Sequence, residues 1–90
     1  MIKSGQIRAA RALLNMDRRT LANLAGLSLP TIQRMESAEG QVGGNVESLM
    51  KVVEALRAAG VELIDEGASC QGRGFGVRFL EPLEQRTAHD

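Results

Sequence analysis

Ninety residues, 43% of them apolar and 24% charged, make one domain's worth of chain with an ordinary globular balance, neither disordered nor membrane-embedded. Cys70 is the single cysteine, which excludes an internal disulfide framework; with no histidine or second cysteine beside it a zinc site is also excluded, and a reducing cytoplasm is the expected setting. Net charge is zero, yet residues 1–35 carry Lys3, Arg8, Arg11, Arg18, Arg19 and Arg34 against Asp17 alone, while residues 36–90 carry five basic residues against ten acidic ones, so one part of the molecule is suited to an anionic partner.

No apolar run reaches the length of a membrane span, and the opening MIKSGQIRAAR lacks the apolar stretch of a signal peptide, so the chain is expected to be used as synthesised, without a membrane partner. A domain this short buries little of its surface, and association with a second copy is expected on that ground.

The first 60 residues read as four short helices. Ser4 is the expected cap of the first, in which Ile7, Ala10 and Leu14 follow a helical spacing. Asp17 caps the second, with Leu21, Leu24 and Ala25 inward, and Gly26 supplies the left-handed residue that a tight turn needs. Ser28 caps the third, and Pro30 falls in its first turn, where the N–H that proline lacks has no helical partner anyway. Ile32 and Met35 then face the core, and Pro30, Gln33, Arg34 and Ser37 form the opposite stripe.

After SAEGQVGG, Asn45 caps a fourth helix with Val46, Leu49, Met50, Val53 and Leu56 as its apolar pattern and Gly60 as its end. The period then changes. Val61 to Glu66 reads as a short strand, and Phe75, Val77 and Phe79 alternate with Gly76 and Arg78, so the two pieces joined by GASCQGRG form an expected β-hairpin. Glu81 to Asp90 reads as a loose polar tail.

A helix of about seven residues, a turn at Ala25-Gly26-Leu27 and a second helix opened by a hydroxyl residue compose a helix-turn-helix, whose second helix has the diameter, about 10 to 12 Å, that a major groove about 12 Å wide admits. Arg34 is able to pair with guanine O6 and N7, Gln33 with adenine N6 and N7, and Leu29 to touch a thymine methyl.

The span IRAARALLNMDRRTLANLAGLSLPTIQRMES resembles the Cro and phage-repressor-like (Xre-type) helix-turn-helix regulators, from about Gln6 to Leu56. The residues that carry the likeness are Leu21-Ala22, the turn glycine Gly26, and Ile32 followed by Met35 and Glu36. The resemblance implies a mainly α, four-helix helix-turn-helix domain over residues 1–60; the hairpin over 61–80, read from its own alternation, stands in place of the family's fifth helix, and the polar tail covers 81–90. It implies double-stranded DNA as partner, with Arg18 and Ser28 on phosphates, Leu29, Pro30, Gln33 and Arg34 facing base edges, and Thr31 and Ser37 on the same helix within the interface. It also implies an ion pair between Arg11 and Glu36 that orients the third helix. Arg18 stands where the family usually has an amide, which makes its phosphate contact ionic. Leu29 and Pro30 stand where polar residues are common, which shifts selectivity towards DNA shape and backbone contacts.

The expected function is therefore a dimeric transcriptional regulator, of the repressor kind, with no cofactor. Phe75, Val77 and Phe79 are the expected dimer face, because an isolated hairpin needs a surface to pack on. The alternative is a protein-binding antitoxin or anti-activator on the same fold, using the hairpin edge and the acidic Glu47, Glu54, Glu62, Asp65 and Glu66. An enzyme is not expected: Gly72, Gly74 and Gly76 fit no phosphate-loop spacing, and neither Cys70 nor His89 has a partner of the nucleophile-and-base kind nearby in sequence.

Overall fold

The computed structural model describes residues 2–38, 45–64 and 74–80. In chain order these form α1 (Ser4–Leu14), α2 (Arg18–Ala25), α3 (Leu29–Ser37), α4 (Val46–Ala59), β1 (Val61–Ile64) and β2 (Gly76–Phe79). The fold is thus mainly α, four helices followed by a two-stranded antiparallel hairpin, as the spacing predicts. The tail 81–90, and Asp65, Glu66, Cys70 and Gly72 of the segment between the strands, lie outside the described residues.

Local chemistry sets the helix ends. Asp17 accepts from the Thr20 N–H, Ser28 from the Thr31 N–H and Asn45 from the Glu47 N–H, each relieving a donor that the first turn leaves unpaired. Gly26 takes φ 69°, and its N–H donates to Asn23 while that of Leu27 donates to Ala22, so α2 closes tightly enough for α3 to start after only three intervening residues. Asn15 does the same for α1 at φ 53°, a conformation asparagine tolerates better than most residues.

The start of α1 differs from the expectation. Lys3 occupies the cap position, and its N–H donates to Gln6 Oε1 at 2.7 Å. Ser4 is the first helical residue, and its hydroxyl donates to the Ala38 carbonyl at 2.6 Å. Gln6 displaces Ser4 from the capping task because its amide also satisfies a distant demand: Nε2 donates to the carbonyls of Ile64 and Gly76, the paired residues that flank the segment connecting the two strands. That leaves a buried amide with its acceptor and both donor hydrogens engaged.

One core joins the helices to the hairpin. Ile7, Leu21, Ile32, Val52 and Leu56 are fully enclosed, and Val61 of β1 belongs to the same cluster. Two inward faces are rotated relative to the sequence reading. On α2 the buried residues are Leu21, Ala22 and Ala25, and Leu24 is exposed. On α4 they are Leu49, Val52 and Leu56, with Val53 half-buried and Val46 and Met50 exposed. α4 packs between α2 and β1, and those two neighbours select the arc that is covered, a choice the apolar spacing of α4 leaves open. Among the described residues no helix is long and apolar enough to cross a membrane.

Candidate nucleic-acid interface

α3 has two faces with opposite surroundings. Ile32, Met35 and Glu36 are buried; Pro30, Gln33, Arg34 and Ser37 are exposed; Leu29 and Thr31 sit half-buried on the two flanks. Pro30 starts the exposed stripe without cost, since the first turn asks no donor of it. Thr31 is held along the helix rather than presented outward: its hydroxyl shares a 2.8 Å hydrogen bond with Ser28 and accepts a long one, 3.4 Å, from Arg34 Nη2. Arg34 is therefore only loosely tethered in the free protein, and its guanidinium is able to exchange that contact for another acceptor.

On the other face, Glu36 has a fully buried side chain, the most expensive place to put a carboxylate. Arg11 meets it with two donors, Nε to Oε2 at 2.5 Å and Nη2 to Oε1 at 2.8 Å, and is itself fixed by Nη1 donating to the Met16 carbonyl at 3.0 Å. Arg18 adds a third donor, Nε to Oε1 at 2.9 Å, and Arg8 Nη1 donates to the backbone carbonyl of Glu36. Burial pushes the Glu36 carboxyl up, but the hydrogen bonds and charges of Arg11 and Arg18 together outweigh burial and hold it below the usual carboxylate range. The same hydrogen bond raises the Arg11 guanidinium.

Arg11 and Glu36 thus meet, and Arg18 joins them, a connection that the family resemblance does not suggest. The signal was nonetheless present in the sequence. Arg18 precedes Leu21, Ala22 and Ala25 by three, four and seven residues, so it lies on the inward stripe of α2. Glu36 follows Ile32 by four on α3, and Arg11 follows Ile7 by four on α1. Each helix places one charge on its buried stripe, and the three charges converge.

Next to this node, Arg11, Asp17, Arg18, Arg19, Leu29 and Gln33 line a shallow, open concavity of about 460 Å³ between the start of α2 and the flank of α3. The Asp17 carboxyl is drawn below its usual range mainly by the Thr20 N–H it caps, so this acid faces its own helix. Three arginines against Asp17 and the adjoining Glu36 leave the rim with an excess of positive charge.

The expected dimer residues are divided. Register pairs Val61 with Phe79 and Leu63 with Val77, and this face of the hairpin turns onto the chain's own α1 and α4, where Leu63 and Val77 pack on the core. Phe75 lies under the Lys3 ammonium, 5.0 Å from the ring centre. Phe79 remains 59% exposed. Of the acidic residues, Glu47 and Glu54 are exposed, whereas Glu62 is shared by Arg78 at 3.2 Å and Arg57 at 3.9 Å.

No family model matches this chain, and no curated protein matches it.

Proposed function

We propose that the chain is a sequence-specific double-stranded DNA-binding regulator of transcription, repressor in kind and cytoplasmic, with α3 as the element that enters the major groove. The observation that carries this reading is the outer stripe of α3. Gln33, Arg34 and Ser37 stand free of the core on a short helix that the buried Ile32, Met35 and Glu36 fix in orientation. Such a helix fits a major groove, and its side chains match base-edge donors and acceptors: Arg34 for guanine, Gln33 for adenine. Leu29 and Pro30 add apolar contact, and the arginine-rich rim beside them suits the backbone phosphates. In this reading Ser28 approaches a phosphate from the start of α3 while its hydroxyl stays engaged with Thr31.

A repressor of this kind reads an inverted repeat as a pair of identical chains, with half-sites about one helical turn apart. Val77 is already used in the chain's own core, so in this reading the contact between copies centres on Phe79. Selection from a pool of random duplexes tests both parts. Enrichment of an inverted repeat is the expected result. A single enriched half-site removes the homodimer and keeps the DNA reader, and no enrichment at low salt overturns the reading as a whole.

A further inference from the structure

Arg18 is held at one end and open at the other. Its Nε donates to Glu36, yet its side chain is 44% exposed at the edge of the concavity between α2 and α3. A guanidinium is a rigid plane of five N–H donors, so engaging Nε restricts the directions in which the two terminal nitrogens point. Among the described residues neither terminal nitrogen has a hydrogen-bond partner within the chain.

We propose that Glu36 is a positioning residue for the DNA backbone: held by Arg11, it grips Arg18 through Nε and aims the terminal nitrogens of Arg18 at one phosphate seated in the concavity. The proposal rests on the DNA reading above. The chain of contacts is unbroken. The Met16 carbonyl holds Arg11, Arg11 holds both oxygens of Glu36, and Glu36 holds Arg18, so the phosphate meets a donor pair already ordered before binding. The electrostatics agree, since Asp17 is engaged with Thr20, Glu36 is enclosed, and Arg19 stands exposed on the same rim. Arginine is needed for this arrangement. A lysine ammonium at this position is a single point of charge, unable to satisfy Glu36 and present two coplanar donors to a phosphate as well.

The test uses the full chain and the duplex enriched by selection, with affinity measured across a range of salt and Arg34→Ala as a reference for lost base contact. For Arg18→Ala the slope of log K against log salt is expected to fall by about 0.9, the value for one phosphate. Arg18→Lys, which keeps the charge, is expected to lose nearly as much. Replacing backbone phosphates one at a time with neutral methylphosphonate is expected to weaken the parent at one position in each half-site where Arg18→Ala is indifferent. Thermal melting of both variants checks that they fold, as the Arg11–Glu36 pair survives in each. A parent-like slope in Arg18→Ala, with binding still sensitive to Arg34→Ala, overturns this proposal and leaves the DNA reading standing. A parent-like slope in Arg18→Lys shows that charge alone suffices and overturns the positioning role. If the parent binds no duplex at all, the DNA reading falls and takes this proposal with it.

Discussion

The inner and outer faces of α3 each carry a charged residue, and the two are treated in opposite ways. Glu36, on the inside, is enclosed and accepts three hydrogen bonds from two arginines on two other helices. Arg34, on the outside, has one loose bond to a threonine a single turn away on its own helix. The physical reason lies in solvation: a buried charge must be matched by fixed partners because water is absent, whereas an exposed one is satisfied by water and stays free for a ligand. Charge type says little about role here; the face on which a charge sits says much. In this reading the inner face sets where α3 lies and the outer face decides what it touches.

The widest separation between the faces is expected from removing the inner charge. Glu36→Ala strips the partner from Arg11 and Arg18, and breaking a buried pair of this kind costs about 3 to 5 kcal/mol. The lower end is expected, because Arg18 is 44% exposed and able to turn to water. Urea denaturation measures it, and a loss under 1 kcal/mol would show that the node contributes little to the fold. Acid probes the same node without mutation. Folding holds the Glu36 carboxyl below its ordinary value, so its stabilisation is complete above the unfolded value of about 4.3 and is lost as pH falls through that value towards the lower folded one. Asp17 is shifted in the same direction, so Glu36→Gln should flatten the acid limb of a stability profile and leave a smaller slope belonging to Asp17.

On the outer face the pattern reverses. Arg34→Ala is expected to change stability by no more than about 0.5 kcal/mol, as at other exposed positions. It should still cost about 1 to 3 kcal/mol in binding to the preferred duplex and relax selection at one base pair. A stability loss as large as that of Glu36→Ala would erase the distinction between the faces. A loss of stability between those of the two faces is expected at the start of α3. Ser28→Ala removes the hydroxyl that caps α3 and tethers Thr31, and about 1 kcal/mol of stability should go with it, read as a shift in the urea midpoint at unchanged slope.

Much of the fold is legible in the residues themselves. Asp17, Ser28 and Asn45 mark three helix starts, Gly26 and Gly60 mark two ends, and Pro30 fixes the register of α3, each through a few atoms within one turn of the backbone. The outer stripe of α3 follows from that register alone. Ser4 shows where such reading stops. It has the chemistry of a cap, but Gln6 takes the task because the hairpin, 58 and 70 residues further along, needs the rest of its amide.

The sequence by itself determined the elements, their ends other than the start of α1, and the two faces of α3, because capping, turn conformation and apolar period act over three or four residues. Tertiary structure decided which arc of α4 is covered, why Leu24 and Phe79 are left exposed while Val77 is not, and where Arg18 points. Those outcomes depend on which helices lie side by side. Arg11 and Arg18 reach Glu36 across 25 and 18 residues of chain, and only the packing of α1, α2 and α3 around a common core brings three charges from separate stripes within hydrogen-bonding distance.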